Sequence, residues 1–138
     1  MYTFNHLFDV IQNSNNKGSD LVFECGYEGG RLFGKSFDCL DLTSEEKISR
    51  WCKFDSSVGW GKFSHNLEVD RTQVSVVGTL SIKNCFQHKG NCEYIRGYCS
   101  GVLESITGLN LILNCVERCD SSISKNMSAT CCFNINAK

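Results

Sequence analysis

Glycines at positions 26, 29, 30 and 34 fall inside a stretch whose apolar residues keep helical spacing, and no other feature of this 138-residue chain restricts its fold as strongly. Over residues 20–39, Val22, Gly26, Gly29, Gly30, Phe33 and Phe37 recur at the three- and four-residue intervals of one helix face. Each glycine inside a helix costs about 1 kcal/mol relative to alanine, so keeping four of them calls for a compensating contact. Close approach of another backbone is the usual one. Downstream, Gly97 and Gly101 stand four apart in a second helical pattern and offer a matching surface. Two such faces can pack within one domain or across a dimer axis, and a homodimer through them is the expected assembly.

Within the same stretch, "GGRLFGKS" (29–36) fits G-x-x-x-x-G-K-[ST], the phosphate-binding loop of nucleotide hydrolases. That loop works because a buried strand leads into it and a helix N-terminus follows, aiming backbone N–H groups at the phosphates. Here "FECGYE" precedes it, with Glu24 and Glu28 where a dry strand should be. Glu28 also sets a negative charge beside the phosphate position. The expectation is therefore a glycine ridge on a long helix, not a nucleotide site.

The remaining patterns fix the fold class. Residues 2–14 read as a helix with Phe4, Leu7, Phe8 and Ile11 on one face, and "NSNNKGS" (13–19) as a loop. A helix begins near "TSEE", where Thr43 and Glu46 suit a capping box, and turns Ile48, Trp51 and Cys52 inward. From Val58 the period shortens. Residues 59–83 read as a β-hairpin, with Trp60, Lys62, Leu67 and Val69 in imperfect alternation and "DRTQ" as the turn. Residues 92–108 form a helix stopped by Gly108, residues 109–119 a strand, and "TCCFNI" a last strand. The whole reads as one α+β domain over 1–138, with N-terminal helices packed on an antiparallel sheet of hairpin, helix and two further strands.

Charge and length exclude several classes. A net charge of −1 supplies no basic field for nucleic acid, and no apolar run approaches the length of a membrane span. The N-terminus carries Asp9 and lacks a basic start and a small-residue cleavage site, so it is not expected to act as a signal peptide, and a cytoplasmic location follows.

Cysteine is the compositional anomaly. There are ten, and six of them lie between Cys92 and Cys132. Intracellular thiols, some buried as small hydrophobes and some ligating metal, fit better than a secreted disulfide framework. On the strand 109–119, Cys115, Glu117 and Cys119 should share one face, because strand side chains alternate with a period of two. Cys131 and Cys132 sit on the next strand and Cys92 begins the preceding helix. One site could gather them around zinc, which favours four tetrahedral thiolate, imidazole or carboxylate ligands.

Five segments, "GWGKF", "SIKNCF", "GNCEYIRGYCSGVLESITG", "ERC" and "CCFNI", together with "YEGGRLFGKSF", resemble the 4-vinyl-reductase domain family. Its members include phenol- and xylene-sensing modules of transcription activators and archaeal proteins described as hydrocarbon-binding. The resemblance implies one zinc per chain, held by Cys, Glu, Cys and Cys beside a pocket for a small, mostly apolar ligand. Cys92, Cys119 and Cys131 take the thiolate places. The family's Glu-x-x-Cys spacing would put the acid at Val116, so the fourth ligand is left between Glu117 and Cys115, and Cys132 competes with Cys131.

The expected function is a zinc-stapled module, sensory or carrier, for an apolar or aromatic ligand, with Phe33, Phe37, Trp60, Phe86 and Tyr98 as candidate pocket residues. The resemblance also admits a scaffold subunit, like those of trafficking tethering complexes, or an accessory of a tetrapyrrole vinyl reductase. Catalysis is disfavoured: His6, His65 and His88 form no evident constellation with Ser or Asp, and a zinc with four protein ligands is closed to substrate.

Overall fold

The computed structural model describes residues 16–85, 92–117 and 130–138. The expected helix over 2–14 lies outside these, as do Phe86 and Cys119. Three helices, α1 (Asn16–Lys35), α2 (Ser44–Ser57) and α3 (Glu93–Thr107), accompany five strands: β1 (Lys62–His65), β2 (Glu68–Asp70), β3 (Ser75–Lys83), β4 (Leu111–Glu117) and β5 (Thr130–Ala137). The strands form one antiparallel sheet in the order β1-β3-β5-β4, with β2 also paired to β3. The α+β expectation holds.

Of the loop expected over 13–19, residues 16–19 belong to α1, which runs from Asn16, and residues 13–15 lie outside the described residues. Polar residues do not stop a helix nucleated by packing farther along, because propagation adds one hydrogen bond per residue fixed. At its other end α1 stops at Lys35, and the chain tightens into turns in which Ser36, Phe37 and Asp38 donate backbone bonds to the carbonyls of Phe33, Gly34 and Lys35. α2 starts where the capping box predicts. The Glu46 N–H donates to Thr43 Oγ1 at 3.2 Å, and the Thr43 hydroxyl meets Glu46 Oε1 at 3.0 Å.

β1 and β2 are successive segments of one hairpin arm, joined through Asn66 and Leu67, and both pair with β3. The alternation looked imperfect because the inward line is Phe63, His65, Leu67 and Val69, not the line through Trp60 and Lys62. Asn66 sits at the break, its Oδ1 accepting from the Thr79 N–H at 2.7 Å. The sheet's inner face carries Phe63, Leu80, Ile82, Leu113, Phe133 and Ile135, all buried. Its outer face is mostly polar, with Thr79, Ser81, Asn134 and Asn136.

α3 is buried almost all round, from Ile95 to Thr107, as expected of a helix with neighbours on opposite sides. The sheet and α2 lie on one side and α1 on the other. Gly26 faces Tyr94 and Tyr98, Gly30 faces Tyr98, and Gly34 faces Val102 and Ser105. The register advances four residues on both helices together, so α1 and α3 run in the same direction. A Cβ on Gly26, Gly30, Gly97 or Gly101 would overlap a main-chain carbonyl oxygen of the facing helix. These faces are therefore used inside the chain, and the expectation that they pair two copies gives way. Gly29 is corrected too: nothing lies near its Cβ position, and it faces solvent. Most of "GGRLFGKS" lies in the last two turns of α1, and the described residues ahead of it, 16–28, are helix where a phosphate loop needs a strand.

Candidate functional site

Where the end of α1 passes α2, aromatic side chains gather. The Phe33 ring lies 5.7 Å from Phe37, 5.6 Å from Phe54 and 6.4 Å from Tyr98. Tyr98 in turn lies 4.9 Å from Trp60 and 6.2 Å from Trp51. These separations are those of favourable tilted and offset ring pairs. Helical spacing explains the composition: Phe33 and Phe37 are four apart, and Tyr98 is the α3 residue that the glycine face of α1 admits closest.

Behind these rings is a buried carboxylate. Asp55 is 2% exposed and accepts two hydrogen bonds on Oδ2, from Trp51 Nε1 at 2.7 Å and from the Tyr98 hydroxyl at 2.8 Å. Burial raises its pKa above the ordinary carboxylate value, while the two donors pull it back down. Desolvation and the neighbouring Asp55 push the Tyr98 phenol well above its usual range. Tyr98 is a fixed donor here, not an acid.

In front of the rings is a groove of about 680 Å³, lined by Phe33 of α1, by Ser36, Phe37 and Leu40 of the turns that follow it, and by Arg50, Lys53, Phe54 and Ser57 from α2. Of the predicted pocket residues, Phe33 and Phe37 line this groove. Tyr98 and Trp60 stand behind it, and Phe86 lies outside the described residues. Sequence reasoning missed Phe54 and Asp55. Asp55 carried a usable signal, an acid four residues after an inward Trp51, where an indole N–H needs an acceptor.

Two groups of thiols stand apart from the exposed Cys25 and Cys39. Cys52 and Cys99 are core residues. Burial pushes Cys52 up to about 12 and Cys99 well above the free thiol, with Asp55 adding to both. They stay protonated and unreactive, matching the expectation that part of the cysteine set is simply packing.

The second group surrounds the start of α3. Cys92 and Cys131 are both buried, with their sulfurs 3.1 Å apart. Cys92 holds a left-handed backbone at φ 54, uncommon for a non-glycine residue. Two thiolates on a tetrahedral zinc would sit about 3.7 Å apart at ordinary zinc–sulfur lengths, so a small side-chain rotation would suit the pair to two corners. Cys131 shares the inner side of β5 with Phe133 and Ile135. Cys132 is on the other side, where the Ser81 hydroxyl approaches its sulfur at 3.5 Å.

The alternation behind the expected common face of Cys115, Glu117 and Cys119 is interrupted between its first two positions. A register shift between 115 and 117 pairs Cys115 with Phe133 but Glu117 with Cys132, so these two positions fall on opposite sides of the period-two pattern. Such a bulge is invisible to a strict alternation rule. Cys119 lies outside the described residues. Among those described, no three metal-capable side chains converge.

One constellation was not foreseen. His65 Nε2 lies 3.0 Å from the Ser49 hydroxyl, which corrects the expectation that no histidine meets a serine. Nδ1 of the same ring accepts the Leu67 N–H at 3.1 Å. The proton of the neutral ring is therefore on Nε2, which donates to Ser49. A nucleophile-activating histidine needs the opposite tautomer, so this contact ties α2 to β1 without activating Ser49.

No protein-family model and no curated protein sequence matches the chain. Solved structures do. The phenol-responsive sensory domain of the transcription activator PoxR, crystallised with phenol, superposes with a TM-score of 0.81 at 10% identity, over 98% of this chain and 73% of that one. A vinyl-4-reductase family protein from Methanocaldococcus jannaschii superposes with a TM-score of 0.55 at 19% identity, over 96% of this chain and 74% of that one. The fold is that of 4-vinyl-reductase-type domains, as the sequence motifs led us to expect.

Proposed function

We propose that this chain is a binding module, sensory or carrier, for a small and mostly apolar or aromatic ligand. The observation that carries this reading is the groove walled by Phe33, Phe37, Leu40 and Phe54, backed by the Tyr98–Trp60 pair. Its size falls within the usual range of small-molecule sites, apolar walls with few polar groups. A shared fold with a domain that was crystallised with phenol adds support. Mass spectrometry under native conditions tests it: a co-purified small molecule, or one retained from an aromatic panel, is expected. Bare protein that retains none of the panel overturns the reading.

The same module is proposed to hold one zinc ion through Cys92, Cys131 and Cys119. Two buried sulfurs already side by side support it. For the fourth place, the register favours Cys115 over Glu117, because its partner Phe133 shares a side of β5 with Cys131. The ion would act as a structural staple between the start of α3 and β5. Metal analysis of protein purified without chelator should return about one zinc per chain. Cys119→Ser should lower the melting temperature far more than Cys39→Ser, since Cys39 is exposed. Stably folded metal-free protein, or equal effects of the two substitutions, would count against the staple. No helix among the described residues is long and apolar enough to cross a membrane.

A further inference from the structure

We infer that the α1–α2 groove selects ligands bearing an anionic group, arylalkyl carboxylates above all, through Arg50 and Lys53; the inference rests on the binding-module reading. The groove joins an apolar floor to a one-signed rim. Phe33, Phe37, Leu40 and Phe54 form the floor, and Phe54 remains 50% exposed there. Its rings pack on one another and on Tyr98.

The polar groups decide the chemistry. Among the described residues four line the groove, Arg50, Lys53, Ser36 and Ser57, and none of these is a carboxylate. The Ser36 hydroxyl donates to the Phe33 carbonyl at 2.6 Å, and the Ser57 hydroxyl donates to the Phe54 carbonyl at 2.6 Å. Both serine protons are thus committed to the backbone. The donors left for a ligand are the guanidinium and the ammonium. They stand three residues apart on α2 and so share one face. The ion pairs among the described residues are Arg31–Glu28 and Arg96–Glu93, which engage neither. An ammonium-bearing ligand would meet two like charges, and a neutral one would leave both cations to water. A carboxylate on an apolar body satisfies floor and rim together.

The test uses three probes with one body and different ends: phenylbutanoate, phenylbutanol and phenylbutylamine. Each is titrated into the full chain at low salt by calorimetry, with amide chemical shifts to locate binding. The carboxylate should bind at least about fivefold tighter than the alcohol, the scale of two partly exposed ion pairs, and the amine weakest. The gap should close as salt is raised and in the double variant Arg50→Gln, Lys53→Gln, where the carboxylate and alcohol affinities should converge. Phe54→Ala should weaken all three. Equal affinity for carboxylate and alcohol, or a preference that survives the double variant, overturns the inference while leaving the binding module standing. Failure of all three probes to bind at millimolar concentration removes both.

Discussion

Asp55 shows how one residue can tie an aromatic cluster together and make it depend on pH. Its Oδ2 is the common acceptor for Trp51 and Tyr98, which come from different helices. Burial raises its folded pKa above the unfolded value, so the native state holds the proton more tightly. The contribution to stability is then fully present below the unfolded carboxylate pKa, about 3.9, and is lost as pH rises through the folded pKa. Asp55→Asn keeps an acceptor oxygen but cannot ionise. Urea melts across this range should show the wild type losing stability with rising pH by an amount that the asparagine variant does not lose. Parallel curves for the two would refute the assignment. Asp55→Ala strands two buried donors and should cost about 2–4 kcal/mol at any pH.

Between elements, the α1–α3 contact is the feature most legible in the sequence. Helical spacing named the glycines, and the need for close approach named Gly97 and Gly101 as their partners. Spacing alone could not tell Gly29 from Gly30, because neighbours in sequence point about 100° apart around a helix. The facing backbone makes the distinction. Gly30→Ala drives a Cβ into the Tyr98 carbonyl and should cost about 3 kcal/mol or more, since neither backbone can yield locally. Gly29→Ala meets nothing and should stabilise by about 1 kcal/mol through helix propensity. Chemical denaturation of both variants checks the pair, and effects of the same sign would contradict the packing. Strand periodicity was less reliable. The inward line of the hairpin ran through Phe63, and the bulge after Cys115 broke the expected common face, because both depend on pairing with a neighbouring strand.

Across the whole molecule, Glu104 joins the layers. Its Oε1 accepts the Tyr27 hydroxyl from α1 at 2.6 Å, and its Oε2 accepts the Leu111 N–H at the start of β4 at 2.9 Å. The hydrogen bond to Glu104, with burial second, pushes the Tyr27 phenol up to about 12. Glu104→Gln keeps one acceptor, for the Leu111 N–H, and turns its amide NH2 toward the Tyr27 oxygen, so the phenol loses its carboxylate acceptor. It should lose about 1–2 kcal/mol in a denaturant melt and return Tyr27 toward an ordinary phenol in an ultraviolet pH titration. An unchanged Tyr27 titration would argue against the clamp. Nothing in the sequence marked this residue, since an acid 77 positions from its tyrosine has no local signature. The sequence by itself determined the element types of the described residues, the capping of α2, the stop at Gly108 and the glycine faces, because spacing, caps and backbone freedom act over a few residues. Tertiary structure decided that those faces meet within one chain, that Cys92 lies beside Cys131 but not Cys132, and that Asp55 and the α1–α2 groove back and front the same aromatic cluster. These depend on register and on distant segments meeting, which no window along the chain contains.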